Sequence, residues 1–350
     1  MSSFLLVRLG ALGDIVHAIP VAAALRRAFP SARIDWLVSA KHREMLDLVP
    51  VIDRRLVTND RPSTGSGQGE SGEPLIATVR ELRRTRYDIT IDLQGLIKSA
   101  LIARATGAAK VIGFSKRYLR EPLARVFYTD VHDPGGAGLY APTETRHVVW
   151  INLGLLQPIG ITVTAPEFPI DAVQSAAAER MRVQTGGRYA LLNPGAAWPN
   201  KRWAPARLAS LALALRERLG LMSVVLWGPG ERELGEAVVA GAGGAAALSP
   251  ETTIADLVAL ARGAAVMVSG DTGPTHVAAA VGTPIVGIYG PTRPERNGPW
   301  LPEDITVSRA HVCECHHLRT CQRERMCLLE IEVDEVLNAV ERRLSAGRRG

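Results

Sequence analysis

The reading of the fold turns on the stretch Ala265-Val266-Met267-Val268-Ser269-Gly270-Asp271-Thr272-Gly273-Pro274-Thr275-His276, followed after Gly282-Thr283-Pro284 by Ile285-Val286-Gly287-Ile288-Tyr289. An apolar run, Ala265–Ser269, reads as a strand. A turn of small polar residues follows it, and a helix opens near Pro274, a residue type favoured in a first helical turn. Ile285–Tyr289 reads as the next strand. The free N–H groups and dipole of such a helix start suit a phosphate, and Gly273 lets a ligand approach the backbone closely. The other reading of Asp271 or Thr272 is a plain helix cap, and the two roles are compatible.

The same alternation extends over the whole chain. Strands are expected at Phe4–Leu9, Arg33–Val38, Tyr87–Leu93, Lys110–Phe114, Tyr189–Leu192 and Ser223–Trp227. Helices are expected at about Ile15 to Ala28, with Pro20 kinking it or lying near its first turns, and at Ala206–Leu219, Ile254 to Arg262 and Val333 to Leu344. Another begins near Gly230. Strands alternating with helices predict an α/β fold of parallel sheets covered by helices. At 350 residues the chain exceeds what one core commonly supports. Periodicity weakens from Ile161 to Gly187, so the division runs 1–165, 166–332 and a terminal helix over 333–350. Ligands in open sheets of this kind bind beyond the carboxyl ends of the strands. Thr58 to Pro74, rich in Gly, Ser and Pro, reads as a mobile surface loop, either an active-site flap or an inert connection.

Three further clusters lie just past expected strands. Asn193-Pro194-Gly195-Ala196-Ala197-Trp198-Pro199-Asn200-Lys201-Arg202-Trp203 carries Lys201 and Arg202, which can neutralise phosphate or form a solvated basic loop. In Trp227-Gly228-Pro229-Gly230-Glu231 the carboxylate can accept hydrogen bonds from a ribose or base, or cap its own helix. In Arg8-Leu9-Gly10-Ala11-Leu12-Gly13-Asp14, Asp14 can act as general base on a hydroxyl or as N-cap of the helix beginning at Ile15. The Gly10, Gly13 spacing is not the dinucleotide fingerprint G-x-G-x-x-G.

The formal net charge is +6, which suits an acidic partner without choosing among nucleic acid, phosphorylated substrate and anionic membrane. The first residues do not read as a signal peptide, and no uncharged run is long enough for a membrane helix. The expectation is a cytoplasmic protein whose four cysteines do not form a disulfide framework. Cys313, Cys315, Cys321 and Cys327, with His316 and His317 among them, follow the spacing C-x-C-x5-C-x5-C. Four thiols so close together read as a metal site, with reduced free thiols and disulfides as the other readings.

These clusters together resemble the ADP-heptose:lipopolysaccharide heptosyltransferases, the bacterial glycosyltransferases of family nine. The resemblance is carried by Val7 to His17, by Asp92-Leu93-Gln94-Gly95-Leu96-Ile97-Lys98-Ser99-Ala100, by Asn193 to Trp203, by Trp227 to Glu231 and by Gly270 to Gly290. The Asp92–Ser99 stretch is most similar to the branch that adds the first heptose to Kdo of lipid A, heptosyltransferase I. The resemblance implies a GT-B fold, two Rossmann-like domains facing a cleft, with the nucleotide sugar in the C-terminal one and the acceptor in the N-terminal one. It implies inversion at the anomeric carbon with no cofactor for catalysis and, because part of the family carries similar cysteine-rich segments, a structural zinc or iron at Cys313, Cys315, Cys321 and Cys327. Carried over, Asp14 is the base and Lys201 neutralises the leaving diphosphate. Asn193, Gly195, Glu231, Asp271, Thr272, Gly273 and His276 hold the donor. Gly13, Lys98, Arg117 and Arg120 lie toward the acceptor.

The implied partners are ADP-heptose, Kdo-lipid A and the anionic surface of the inner membrane, with no nucleic acid. The basic and aromatic segment Phe114 to Arg125 would face that membrane peripherally from the cytoplasmic side, or else form an amphipathic helix packed on its own domain. Two other functions stay open: a transferase moving heptose or another nucleotide-linked sugar to a protein or different glycan, and a nucleotide-sugar-binding protein without catalysis. Donor turnover separates them.

Overall fold

A computed structural model describes residues 2–59, 75–141, 143–316, 318–321, 323–324 and 326–346. Most of the expected loop Thr58 to Pro74 therefore lies outside the described residues, as does His317. The chain divides into two compact units, Met1–Asp171 and Ala172–Gly350.

The first unit is built on strands β1 (Ser3–Val7), β2 (Arg33–Ser39), β3 (Arg54–Thr58), β4 (Ile89–Asp92), β5 (Lys110–Phe114) and β6 (Asp130–His132). They form one sheet in the order β3-β2-β1-β4-β5-β6, and every pairing is parallel. Parallel strands are covered on both faces, which is why β1 reads Phe4-Leu5-Leu6-Val7 without alternation and is buried throughout that run. The expected helix Ile15–Ala28 is two helices, Leu12–Val16 and Ile19–Ala28. The break falls at His17-Ala18, and Pro20 sits in the first turn of the second helix, where its missing N–H costs nothing.

The second unit repeats the plan with β7 (Tyr189–Asn193), β8 (Met222–Val225), β9 (Ala246–Leu248), β10 (Val266–Gly270), β11 (Ile285–Tyr289) and β12 (Ile305–Ser308). Their order is β12-β11-β10-β7-β8-β9, again all parallel. Helix Pro205–Leu219 starts on a proline and stops at Gly220, whose φ of 66° is left-handed. Helix Val333–Ala346 is part of this unit, burying Val336, Leu337 and Val340 in the core beneath β11 and β12.

Both sheets have the same topological feature. In the first unit the chain runs outward from β1 to β2 and β3, then returns to β4 on the other side of β1. In the second it runs from β7 to β8 and β9, then returns to β10 on the other side of β7. At such a switch point the loops after the two central strands part, and a crevice opens at their carboxyl ends.

Candidate functional site

At the switch point of the second unit, the loop after β7 meets the loop after β10. Asn193 closes β7, and its amide Nδ2 donates to Gly195 O at 3.2 Å, Ser269 Oγ at 3.2 Å and Thr272 Oγ1 at 3.0 Å. Lys201 ends a short 3-10 turn, Pro199–Lys201, and its ammonium lies 2.6 Å from Asp271 Oδ2. The other carboxylate oxygen of Asp271 is 3.0 Å from His276 Nε2. Burial alone would push the Asp271 carboxyl up. The His276 hydrogen bond and the Lys201 charge outweigh burial and hold it well below the usual carboxylate range. The Lys201 ammonium also stands 4.6 Å from the centre of the Trp198 ring.

Helix Gly273–Ala280 begins here. Thr272 occupies its N-cap position, yet its hydroxyl caps no helix N–H. It is taken up by Asn193 and Thr275 Oγ1 instead. The plain-cap reading of Thr272 therefore fails, and the first N–H groups of the helix are left to a ligand or water. Asp271 and His276 are buried, with side chains turned to each other and to Lys201, so they set the position of the cation. Gly270 is required by close packing, since a Cβ there would lie 2.9 Å from Lys201 O.

Glu231 stands at the N-cap of helix Arg232–Gly241 without capping it. Its carboxylate lies against Gly195, where a Cβ would fall 2.0 Å from Oε2, and its Oε1 is 3.6 Å from Arg202 Nη2. Arg202 is further tied by Nε to Ala196 O at 2.9 Å. Asn193, Gly195, Lys201, Glu231, Asp271, Thr272, Gly273 and His276 thus come together at one crevice of one unit.

In the first unit the switch point carries Asp14, third residue of helix Leu12–Val16. It is not the N-cap of a helix at Ile15. Ala11 holds that position, and its N–H donates to Asp14 Oδ2 at 3.2 Å. Gly13, one residue earlier, is buried. The loop after β4 lies alongside. Buried Asp92 organises it, accepting from the N–H groups of Gln94 at 2.9 Å and Gly95 at 3.3 Å through Oδ1, and from Ser99 Oγ at 2.9 Å and Tyr128 Oη at 2.7 Å through Oδ2. Burial raises the Asp92 carboxyl despite these donors. Lys98 sits in the first turn of helix Ile97–Ala105, whose leading N–H, from Ile97, is capped by Glu121 at 2.7 Å.

The segment Phe114 to Arg125 is not an α-helix. It forms two 3-10 turns, Lys116–Tyr118 and Pro122–Phe127, that bury Tyr118, Leu119 and Ala124. Arg117 is gripped by both oxygens of Asp133, while Lys116 and Arg120 are exposed. Leu123 and Val126 are 69% and 70% exposed.

The cysteine segment departs from expectation. Among the described residues no group of three or more His, Cys, Asp or Glu side chains could hold a metal ion, so the structural zinc or iron reading of Cys313, Cys315, Cys321 and Cys327 finds no support. Cys313, Cys315 and Cys327 are buried together, with the first two sulfurs 3.3 Å apart. Burial raises all three thiols, Cys315 up to about 12, so they are neutral at physiological pH. Asn200, the neighbour of Lys201, donates to Leu318 O at 2.9 Å and to Cys315 Sγ at 3.6 Å. The thiol nest therefore buttresses the loop that carries Lys201. Sequence reasoning missed Asp92, Tyr128 and Asn200 as supports, although Asp92 and Asn200 stand inside the quoted motifs.

Residues 75–326 match the family model described as glycosyltransferase family 9 (heptosyltransferase). The chain is 30% identical over 325 residues to lipopolysaccharide heptosyltransferase 1 of Pseudomonas aeruginosa, covering 91% of this chain and 86% of that protein. Among solved structures it is similar to a family 9 glycosyl transferase of Veillonella parvula, with 23% identity, a TM-score of 0.77 and coverage of 99% and 97%. It is also similar to the Escherichia coli heptosyltransferase WaaC with ADP, with 22% identity, a TM-score of 0.75 and coverage of 97% and 99%. These structures share the α/β architecture of two six-stranded parallel sheets, the GT-B fold.

Proposed function

The chain belongs to glycosyltransferase family 9, and from that membership we propose that it transfers heptose from ADP-heptose to the Kdo-lipid A inner core of lipopolysaccharide, with inversion at the anomeric carbon. It is a glycosyltransferase, a heptosyltransferase of lipopolysaccharide core biosynthesis. The observation that carries the donor assignment is the Lys201–Asp271 pair beside the uncapped start of helix Gly273–Ala280. A diphosphate there meets an anchored ammonium, free backbone donors and the positive end of a helix at once. Glu231, held over Gly195, is suited to the hydroxyls of a ribose.

In the proposed reaction an acceptor hydroxyl gives its proton to Asp14 as its oxygen bonds to the anomeric carbon. The bond from that carbon to the diphosphate oxygen breaks, and ADP departs with the electron pair. Lys201 and the helix start offset the charge that develops on ADP. We propose further that the segment carrying Lys116, Arg120, Leu123 and Val126 meets the anionic inner membrane that holds the acceptor. Two exposed apolar side chains among cations suit the interfacial region of a bilayer. Among the described residues no helix is long and apolar enough to cross a membrane.

Replacing the base tests the scheme. Asp14→Ala should lower kcat by about 10² to 10⁴ while ADP affinity stays near that of the native protein. Unchanged turnover would remove Asp14 from the mechanism.

A further inference from the structure

We infer that Arg8 is the positioning residue that aims the Asp14 carboxylate, and that it does so by tying Asp14 to the loop after β4. Arg8 follows β1 directly and its side chain is only 13% exposed. Its Nη2 lies 2.6 Å from Asp14 Oδ2, and its Nη1 donates to the carbonyl of Leu93. One guanidinium thus joins the two loops that part at the switch point. Its rigid fork is suited to this, because the nitrogen that bonds Leu93 and the nitrogen that pairs with Asp14 lie in one plane at fixed separation.

Each anchor of Arg8 is itself anchored. On one side, Asp92 holds the chain around Leu93 through the N–H groups of Gln94 and Gly95. Gln94 Oε1 then accepts the N–H of Leu9 at 3.0 Å, a second tie between the same loops. On the other side, the backbone of Arg8 is fixed to β2. Its N–H donates to Leu37 O at 3.2 Å, and its carbonyl accepts from Trp36 Nε1 at 3.2 Å.

The consequence lies in which oxygen is occupied. Arg8 Nη2 and the Ala11 N–H converge on Oδ2 of Asp14. Oδ1 makes no hydrogen bond or ion pair among the described residues, and the Asp14 side chain is 42% exposed. An ion pair and one N–H donor on the same oxygen leave the other as the acceptor of a substrate proton and fix the direction it faces. Orientation of this kind bears on the chemical step more than on substrate affinity.

The inference rests on Asp14 being the base, and three variants of the full chain keep the two claims apart. Transfer is followed with ADP-heptose and Kdo-lipid A as probes, and folding by thermal melting. Asp14→Asn tests the base alone. Arg8→Met keeps the bulk of the stem without its charge, and Arg8→Lys restores one N–H donor. If Arg8 aims the carboxylate, Arg8→Met loses about 10²-fold in kcat, with KM for the acceptor changed much less. Arg8→Lys recovers part of that loss, and added guanidinium ion raises the turnover of Arg8→Met. An Arg8→Met enzyme within twofold of native kcat, beside an inactive Asp14→Asn, overturns the role of Arg8 and leaves the base intact. A folded Arg8→Met enzyme of low activity that neither guanidinium nor the lysine variant improves also overturns it. An active Asp14→Asn overturns the base reading itself.

Discussion

At the scale of single residues, the proposed donor site depends on a largely buried cation held by a buried anion. The Lys201 and Asp271 side chains are 15% and 5% exposed, so each has lost most of its hydration and depends on the other. Asp271→Asn leaves the ammonium without its counter-charge and should cost about 3 kcal/mol of stability, read by chemical denaturation. The same pair sets a pH dependence. The Asp271 carboxyl is held far below its value of about 3.9 in the unfolded chain. Its contribution is thus full above about pH 4 and is lost as pH falls below that. Melting temperature should drop more steeply in acid for the native protein than for Asp271→Asn, and parallel curves would refute the assignment. Lys201, Asp271 and Glu231 were legible in the sequence because each stands in the loop that follows an apolar run. Their pairing was not, since 70 residues separate Lys201 from Asp271 and only the sheet order brings them together. Arg8 and Asp92 lay in view within the motifs, but no periodicity says which atoms of two loops will meet.

At the scale of elements, the switch points matter most. The central strands were readable because parallel strands buried on both faces show as unbroken apolar runs. Strands β3, β6, β9 and β12 lie at or near the sheet edges, where Arg54 and Arg55 or Asp130 and His132 dilute the pattern, and they were missed. Helix Ala176–Gln184 was also missed, inside the stretch of weak periodicity, because it buries only Met181. The segment Lys116–Phe127 has helical composition, yet Pro122 and the short spacing of its buried residues give 3-10 turns. Two glycines test the loop packing at this scale. A Cβ at Gly195 meets the flexible end of Glu231, whereas one at Gly270 meets the backbone of Lys201. Gly195→Ala should keep its melting temperature and weaken ADP binding by displacing Glu231. Gly270→Ala should lose about 1–3 kcal/mol of stability as well, because backbone cannot rotate aside. Calorimetry of both variants, with and without ADP, separates these outcomes.

At the scale of the whole molecule, two units of one topology carry different chemistry. One gathers Lys201, Arg202 and a helix start where we propose a diphosphate binds, and the other carries Asp14, the carboxylate proposed as the base. Length indicated two domains, the alternation of strand-like and helix-like segments indicated an α/β fold, and the likeness of the two sheets follows from the repeated strand order. The net charge of +6 could not say where an anionic surface would bind. Exposed Leu123 and Val126 suggest the place. Changing both to serine should weaken binding to vesicles containing anionic lipid by about tenfold or more, and equal co-sedimentation of native and variant protein would rule the segment out. Purified protein incubated with ADP-heptose and Kdo-lipid A should release ADP in equal measure with lipid heavier by one heptosyl unit, the new linkage inverted relative to the donor. Release of ADP without heavier lipid, or neither product, would rule out transfer of heptose to Kdo-lipid A.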